Sequence, residues 1–580
     1  MSSVTACPLD CYDACEIVYE DGKLKALKDG HTQGFLCPHM NHYEKYKTIA
    51  KARYRGEEIT LSEALLKLKE MISSCDKSEV LHYRGSGNFA LMQEVTDHFF
   101  ASYGAVLTEG SLCDGAGEAG IIEGRGSNKN MPIHEVAKSE VVIFWGRNPH
   151  TTSSHILPLL KDKAVIVIDP LRTKMAKTAD LHIQIKPNCD IYLAMLLSRF
   201  LHIENGCDEE FLEEFASEYE DYYELTQNIR IKATLDQIGV SLGQIGDILA
   251  MVKDRKVAIV CGVGIQKYSN GVDVMRSIDA FAAMLGLFGK EGCGVSYLGA
   301  SRDAIVLPFN KKAKRVSKVN TEFSDFKTVF IQGANPLSQM PDSQRVKESI
   351  EKVENVVYFG LYENETSEIA DLIIPAKSFL YKDDVRTSYS HNVMSFMPKV
   401  AQSDIGISEY DLTSYLCKEF GIELESEEFY LKHFKNFAVQ KIDGSWYVEN
   451  REEVPYKEGF DTDDREFVFL DELDSKADEE MSGFYLITSK SPTSLNSQFQ
   501  RDEHVYLHSS LGFGEGESVV VSSVSGSVKL KVKHNNDLRE DCVLIYSGTR
   551  GVNNLTTSKH ALYAKSAIFQ ENRVEIKRDE

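Results

Sequence analysis

Positive charge is scarce in this sequence, and long apolar runs are missing. Its 580 residues carry 88 acidic and 65 basic side chains, a formal net charge of −23. This excess of negative charge argues against a broad surface for nucleic acid or anionic membranes. No apolar run approaches the roughly 18 residues of a transmembrane helix, so we expect no membrane insertion. The six residues before Cys7 contain no basic region, apolar stretch or twin arginine, and we therefore expect a cytoplasmic protein.

The length predicts several domains, because the chain is about four times the ~150 residues of a typical domain. It is 42% hydrophobic and 26% charged, as globular proteins are. A chain of this size can bury a large core without disulfide or metal staples. Its twelve cysteines are not expected to form disulfides, because the cytosol keeps thiols reduced.

Four of these cysteines lie close together near the N-terminus. Cys7, Cys11 and Cys15 are separated by three residues each, and Cys37 follows. Four thiolates can hold a zinc ion or a [4Fe–4S] cluster. The CxxC pairs typical of structural zinc sites are missing, so the spacing favours the cluster, with zinc as the alternative. Four small core residues with no metal are the remaining interpretation.

The segment between Cys15 and Cys37 alternates like a strand, turns at Asp21-Gly22 and resumes its alternation. This pattern predicts a hairpin. We therefore expect a small β-rich domain, about residues 1–55, built around its metal.

An apolar run in the middle of the chain ends at Gly146, and a polar turn with Asn148 and Pro149 follows. This is typical of a buried parallel strand that runs into a ligand-binding turn. The next strand ends at Asp169, at the distance usual for an acidic acceptor of ribose hydroxyls. Arg172 follows and is a candidate contact for phosphate or base.

The same order of features returns later in the chain. A strand precedes Gly333 and Asn335, and the string Ala-Asp-Leu occurs at Asp180 in the first unit and at Asp371 in the second. We interpret this as an internal repeat of two α/β units, each with one nucleotide site at its strand ends. The alternative is the ordinary strand–loop–helix succession of any doubly wound protein.

A third glycine turn lies between the two units. Gly264 follows a predicted strand, and Gln266 lies on the same loop before a predicted helix. A Gly-x-Gly string alone is weak evidence, but this context makes the turn a candidate cofactor loop.

Cys113 stands at the head of a glycine-rich loop, next to Asp114. Its thiolate could ligate a soft metal or act as a nucleophile. The spacing shows no Cys-His-Asn triad, and a buried free cysteine is the alternative.

The C-terminal part begins with an acidic segment, residues 440–482, which we expect to be a solvated connection or edge elements. Two alternating strands about a Ser-Gly turn follow and predict a hairpin of an all-β domain. Polar strings that contain Gln498 and Asn554 flank this hairpin and can bond to phosphates or polar heterocycles.

In this order the motifs resemble the molybdenum and tungsten bis-pterin guanine dinucleotide oxidoreductases, the group of dimethyl sulfoxide reductase and of formate dehydrogenase and nitrate reductase catalytic subunits. The resemblance covers essentially the whole chain. It implies an α/β multidomain protein of four parts, which would be a [4Fe–4S] domain (1–55), a discontinuous α/β domain (56–130 and 331–480), a dinucleotide-binding α/β domain (131–330) and a C-terminal β-barrel (481–580).

The resemblance also implies the site residues. In this family a molybdenum or tungsten ion takes four dithiolene sulfurs and one side chain, here Cys113, with Ser111 as the fallback. His39 stands where many relatives have a lysine between cluster and pterin, and Asp114 stands where formate dehydrogenases have a histidine; both are candidate catalytic residues. The implied and predicted cofactor contacts are Gly146, Asn148, Pro149, Asp169, Arg172, Asp190, Gly264, Gln266, Gly333, Asn335, Gln498 and Asn554.

The expected function is two-electron chemistry on a small molecule, by oxygen-atom transfer or formate-type oxidation. A [4Fe–4S] cluster would relay the electrons to an iron–sulfur or flavin partner. One alternative is a non-redox hydratase similar to acetylene hydratase, because Cys113 and Asp114 are adjacent. A cofactor-free electron-transfer subunit, similar to the large subunit of respiratory NADH dehydrogenase, is a second alternative, and a zinc-bearing interaction protein is a third.

Overall fold

The computed structural model describes residues 2–28, 30, 32–85, 90–299, 301–441, 444–473 and 482–579. Part of the acidic segment predicted to be a connection, residues 474–481, therefore lies outside the described residues. Within that segment, Phe467–Val468 is a short strand paired with Ala216–Ser217.

The N-terminal region is a three-stranded antiparallel sheet of Ser2–Ala6, Glu16–Glu20 and Lys23–Ala26. Asp21 and Gly22 both have positive φ, 53° and 77°, which suits the tight turn of a hairpin. The predicted hairpin is confirmed. Cys7 follows the first strand and Cys15 precedes the second, so the sheet brings both ends of the cysteine loop together.

A five-stranded parallel sheet forms the middle of the chain. Three of its strands were predicted from apolar runs, and Val141–Trp145 at its centre is fully buried. Parallel strands are covered on both faces and therefore read as continuous apolar sequence. Helices Asp190–Ile203 and Gly271–Met284 share the core of this sheet. The strand order is Leu181–Ile183, Ala164–Ile168, Val141–Trp145, Val257–Cys261 and Gly294–Ser296.

A second sheet has eight strands, of which the first six in the sheet run parallel and the last two pair antiparallel. Helices Leu61–Ser73, Val95–Tyr103 and Glu409–Phe420 cover one face, and Ser343–Ile350 covers the other. The strand order is Arg315–Ser317, Val106–Glu109, Val80–Arg84, Thr328–Gln332, Asn355–Gly360, Leu372–Pro375, Ala52–Tyr54 and Glu57–Ile59.

The C-terminal strands close into a six-stranded barrel. Ser518–Ser522 pairs antiparallel with Ser527–His534, as the predicted hairpin requires. Alternate residues of these strands, Val519, Val521 and Val532 among them, fill the barrel core. The order around the barrel is Phe484–Ile487, Cys542–Leu544, His504–Leu507, Ser527–His534, Ser518–Ser522 and Arg573–Arg578.

Shorter elements connect these units. The remaining paired strands are Asp384–Arg386 with Ser395–Met397, Ala438–Gln440 with Trp446–Val448, and Ser494–Leu495 with Gln498–Phe499. The remaining α-helices are Pro38–Asn41, Gly115–Arg125, Glu209–Phe215, Tyr219–Gln227, Ile231–Ile238, Leu242–Val252, Pro336–Gln339, Glu365–Ile369 and Glu427–Lys435. Every helix among the described residues is too short or too polar to span a lipid bilayer.

The predicted fold class is confirmed as an α/β multidomain fold with a C-terminal barrel. The division into domains stays a prediction. The eight-stranded sheet takes strands from both sides of the predicted boundaries, since it includes Ala52–Tyr54 and Arg315–Ser317.

The two α/β units share details of geometry that support the internal repeat. Gly146 and Gly333 both have positive φ, and each amide donates to the last or next-to-last residue of the neighbouring strand over 2.8 Å. Asp180 accepts from the amide of Val165 over 2.8 Å, and Asp371 accepts from that of Val356 over 2.9 Å. The two aspartates of the repeated string therefore make the same hydrogen bond to a strand amide in both sheets.

Candidate functional site

The four N-terminal cysteines line one cavity. The amide of Cys7 donates to the carbonyl of Cys15 over 2.8 Å, which closes the loop that carries the first three. Cys37 directly precedes helix Pro38–Asn41 and meets them from the other side. The fold therefore brings together all four residues that the spacing singled out.

Burial raises the pKa of each of these thiols, to about 12 for Cys11. The neighbouring thiolates add to this for Cys7, Cys11 and Cys15, because like charges in one small cavity repel. All four thiols can therefore ionise together only with a cation among them, and a bound metal supplies that cation. The donor set therefore fits a four-cysteine metal centre.

A second and much larger cavity, about 240 Å³, lies at the carboxyl edge of the five-stranded sheet. Three neighbouring parallel strands end there, and the residues that follow them, Gly146, Asp169 and Gly262, all line it. Ligands of open α/β sheets bind at this edge. Lys490 and Gln570, from loops next to barrel strands, and residues 10–12 near the N-terminus add to the wall, so several parts of the chain enclose the cavity.

Two glycines show why the loops leave room here. A Cβ on Gly262 would lie 1.8 Å from the carbonyl oxygen of Gly146, so these two turns touch through their backbones. A Cβ on Gly264 would meet nothing within 4 Å. Gly264 therefore offers open backbone to the cavity, as a cofactor cradle requires.

Two of the acidic side chains that line this cavity are predicted cofactor contacts. Asp169 accepts from the amide of Leu171 over 2.8 Å, and its burial, with a smaller effect of Asp190, raises its pKa to about 7. Asp190 accepts from Nε1 of Trp145 over 2.7 Å, and its burial raises its pKa to about 6. Carboxyl groups in such surroundings are suited to accept hydrogen bonds from the hydroxyl or N–H groups of a ligand.

Cys113 reaches the large cavity from the loop before helix Gly115–Arg125. Its amide donates to the hydroxyl of Ser111 over 2.9 Å, and this hydroxyl donates in turn to Asp114 over 2.8 Å. Ser111 is thus part of the turn and is not among the described residues that line the cavity. The geometry supports Cys113 rather than Ser111 as the side chain offered to a metal.

Gln266 forms hydrogen bonds to the loop that carries Cys113. Its Nε2 donates to the carbonyl oxygens of Cys113 over 2.8 Å and Val263 over 2.9 Å, and its Oε1 accepts from the amide of Gly117 over 2.9 Å. The side chain is fully buried. These contacts support a positioning role for Gln266 instead of the predicted cofactor contact.

The helix behind Cys113 is anchored by a buried ion pair. Arg125 Nε donates to Asp279 over 2.7 Å, and neither side chain has any exposed surface. Asp279 belongs to helix Gly271–Met284, which packs on the five-stranded sheet. The ion pair therefore fixes the Cys113 loop relative to the strand ends.

Charges of both signs surround Cys113. Burial raises the pKa of its thiol to about 12, and the charge of Asp114 adds to this. Burial also raises the pKa of Asp114 itself. Lys267 lines the cavity, and its burial lowers its pKa to about 8 despite the nearby thiol of Cys113. A second ammonium, that of Lys490, acts on both Cys113 and Lys267.

The cysteine cavity and the large cavity share a wall. Cys11, Thr151, Thr152 and Leu495 line both. His39 lines the cysteine cavity but is not among the residues of the large one; its ring stacks on Phe499 with centroids 5.9 Å apart. Burial and the charge of Lys490 lower its pKa.

The second α/β unit has a smaller cavity, about 60 Å³, at the corresponding edge of its sheet. Gly333, Asn335 and Gln498 line it, as the prediction of a second nucleotide site requires. Asn335 bonds to Glu365 over 2.8 Å and to Ser497 over 3.0 Å. Its amide group is therefore engaged with the protein, and it shapes the loop.

Three further predicted contacts, among the described residues, line neither nucleotide cavity. Arg172 is exposed, Pro149 is buried below its turn, and Asn554 donates to the carbonyl of Ser527 in the barrel over 3.3 Å. Asn148 does line the large cavity, while its side chain also donates to Thr151 over 3.1 Å.

Sequence reasoning missed Lys267, Lys490 and Tyr389, which all line the large cavity. Lys267 follows Gln266 directly, so the glycine turn pointed to the correct loop but to the wrong side chain. Lys490 lies in the polar string that contains Gln498, so the prediction named the loop but not the lysine, and Tyr389 comes from a distant loop that no local pattern marks.

The fold and the site define a class of protein with a large cavity at the strand ends of a parallel sheet, beside a smaller cavity lined by four cysteines. A family model described as molybdopterin oxidoreductase matches residues 60–419, more than half of the chain. The chain belongs to the molybdopterin oxidoreductase family, and the prediction of an enzyme of this family is confirmed.

Individual relatives agree with this assignment. The probable oxidoreductase YyaE of Bacillus subtilis is 28% identical over 472 residues, which cover 73% of this chain and 70% of YyaE. Formate dehydrogenase H of Escherichia coli is 24% identical over 473 residues, which cover 68% of this chain and 65% of that enzyme. The chain thus spans about two thirds of the length of these curated relatives.

Among solved structures, acetylene hydratase from Pelobacter acetylenicus superposes with a TM-score of 0.77. The superposition covers 99% of this chain and 100% of the hydratase at 15% sequence identity. This likeness concerns the fold.

Proposed function

We propose that this protein is an oxidoreductase that carries a bis-molybdopterin guanine dinucleotide with molybdenum or tungsten, and that a [4Fe–4S] cluster relays its electrons. The observation that carries the proposal is the placement of Cys113. Its thiol faces a cavity built from the ends of three parallel strands, and that cavity shares the wall residue Cys11 with the four-cysteine site.

The residues fit the two groups. Cys7, Cys11, Cys15 and Cys37 would hold the cluster, and Cys113 would be the protein ligand of the molybdenum or tungsten ion. When bound, the metal–pterin group supplies two-electron chemistry by cycling the metal between two oxidation states. The open backbone at Gly264 suits close approach by a pterin.

The dinucleotide ends would lie at the strand ends of the two α/β units. Asp169 and Asp190 line the first cavity and would accept hydrogen bonds from one of these ends, and Gln498 and the loop of Gly333 face the second cavity. Burial of these groups away from bulk water favours a ligand that brings its own N–H and O–H donors.

Protein charge around Cys113 bears on the substrate. Lys267 and Lys490 place positive charge near the thiol, and burial raises the pKa of Asp114. A neutral carboxyl can donate a proton and does not repel an anion. We therefore propose a small substrate, converted by oxygen-atom transfer or formate-type oxidation, with Asp114 as the candidate acid.

A hydratase is the second candidate, and the position of Asp114 directly after Cys113, where burial raises its pKa, favours it. A protonated carboxyl beside the metal ligand could protonate a small unsaturated substrate without electron transfer. Hydration would proceed without an electron acceptor, whereas the proposed oxidoreductase requires one.

The site argues against a cofactor-free electron-transfer subunit and against a zinc-bearing interaction protein. An electron-transfer subunit without the pterin has no need for Cys113 facing a cavity of about 240 Å³. A zinc-bearing interaction protein has no need for that same cavity at the ends of three strands.

His39 as the link between cluster and pterin stays a prediction. The electron partner would be an iron–sulfur or flavin protein, and a cytoplasmic location likewise stays a prediction.

Elemental analysis of anaerobically purified protein tests the proposal. We expect about four iron atoms and one molybdenum or tungsten per chain. Zinc alone would refute it, and iron without either heavy metal, from a host that makes the pterin, would favour the electron-transfer subunit. Cys11→Ala should lose the iron, while Cys417→Ala, a matched change in the buried core, should keep it.

A further inference from the structure

A histidine from the first α/β unit contacts one of the four clustered cysteines. Nδ1 of His155 lies 3.4 Å from Sγ of Cys15 and 2.9 Å from Oδ2 of Asp13. His155 and Asp13 are each only 2% exposed. The contact joins residues 140 positions apart in the chain, so it is a product of tertiary packing.

The surroundings fix the imidazole ring in place. Its Nε2 lies 3.1 Å from the carbonyl oxygen of Phe35, and its face stacks on the Phe35 ring with centroids 4.5 Å apart. The carbonyl of His155 accepts from Gln33 over 2.8 Å. The ring is therefore held on its edge and face, with Nδ1 turned towards Asp13 and Cys15.

The contacts of the ring decide where its hydrogens lie. A carboxylate oxygen only accepts, so the contact with Asp13 assigns a hydrogen to Nδ1. Sγ of Cys15 lies 3.4 Å from the same Nδ1 atom, within reach of that hydrogen. The ring thus presents an N–H group to the space between Asp13 and Cys15.

We propose that His155 is a positioning residue that raises the reduction potential of a [4Fe–4S] cluster held by the four cysteines. The inference rests on the proposed function, because it requires that cluster. Reduction adds negative charge to the cluster and its sulfurs, and an N–H group beside a ligand sulfur stabilises the reduced state.

The position of His155 in the chain links this effect to the cofactor site. His155 follows the turn of Gly146 and Asn148 in the sequence. Thr151 and Thr152 lie between that turn and His155, and each of them lines both cavities. One loop thus forms the edge of the pterin cavity, the shared wall and the contact with Cys15. The cluster potential is thereby set from the unit that faces the other redox centre.

A competing role is that of a metal ligand. The ligand atoms of Asp13, Cys15 and His155 all lie within 4.8 Å of one another, close enough to hold one ion. A ligand would be needed for metal retention, whereas a positioning residue changes the potential of a cluster that stays bound.

The test is a redox titration of the anaerobically purified holoenzyme, followed by the electron paramagnetic resonance signal of the reduced cluster. The variants are His155→Leu, which has no N–H group, and His155→Gln, which keeps a neutral one. His202→Gln is the matched control, because His202 contacts Tyr219 and lines neither cavity.

We expect full iron content in all variants, a lower cluster potential in His155→Leu, a smaller decrease in His155→Gln and no change in His202→Gln. Unchanged potentials at full iron content would overturn the inference. If only His155→Leu loses iron, the potential of His155→Gln is compared with that of the wild type. A lower potential supports the inference, and an unchanged potential overturns it. Loss of iron in both His155 variants would overturn it in favour of the ligand role. A wild-type protein without about four iron atoms would refute the proposed cluster itself, and the iron measurement separates that failure from the others.

Discussion

Replacing Gln266 with leucine should loosen the loop that carries Cys113. The substitution keeps a side chain of similar size but removes all three hydrogen bonds of the amide. The carbonyls of Cys113 and Val263 and the amide of Gly117 then lose their partner. A buried polar group left without a partner costs about 1–3 kcal/mol. Cys113 adjoins the cavity, where water can replace one bond, so we expect a loss of about 3 kcal/mol in the free energy of unfolding of this region.

Two measurements check this effect. A loss of about 3 kcal/mol corresponds to a decrease of roughly 6–12 °C in the melting temperature of a domain of 150–250 residues. Molybdenum or tungsten content should decrease because Cys113 is no longer held in place. Iron content should stay unchanged, since Gln266 bonds to Cys113, Val263 and Gly117 and not to the four N-terminal cysteines.

Gln244→Leu provides the matched control. Gln244 caps helix Leu242–Val252 through Ser241 at the surface, so its loss should cost only about 1 kcal/mol and leave both metals in place. A Gln266→Leu protein with wild-type melting temperature and heavy-metal content would refute the reasoning.

Three further changes test the site and its frame. Cys113→Ala should abolish turnover and leave the iron signal intact; normal turnover would contradict the proposed role of Cys113 as a metal ligand. Arg125→Leu should destabilise the protein by about 3–5 kcal/mol, because it leaves Asp279 charged and buried, and the double change with Asp279→Leu should recover part of this loss in thermal melting. In cofactor-free protein the raised pKa of Asp169, about 7 against 3.8, makes its ionised form destabilising. This penalty is complete above pH 7 and fades as the pH falls towards 3.8, so Asp169→Asn should raise the melting temperature more at pH 8 than at pH 5; an equal rise at both would contradict the assignment.

Local patterns were sufficient wherever the residues of one element decide its structure. The apolar runs before Gly146 and Gly333 predicted buried parallel strands, because a strand covered on both faces must be apolar throughout. The positive φ of both glycines follows from the turn that each strand needs at its end. The Asp21-Gly22 turn was predictable for the same reason.

The side chains that face the site were predictable only in part. Asp169 and Cys113 line the large cavity, as expected. Gln266 and Lys267 are adjacent, yet the first supports the loop from within the core and the second lines the cavity. No periodicity separates these roles, because they depend on where helix Gly115–Arg125 packs.

The sequence by itself determined the strands, the glycine turns, the cysteine spacing and the family resemblance, since each is written in neighbouring residues. Only the tertiary structure decided which groups meet across long separations. It brought His155 to Cys15, Lys490 to the Cys113 cavity and the second α/β unit to Gln498, which lies between two barrel strands in the sequence. The physical reason is that burial and electrostatic interaction depend on distance in space, and packing of whole sheets and helices sets those distances.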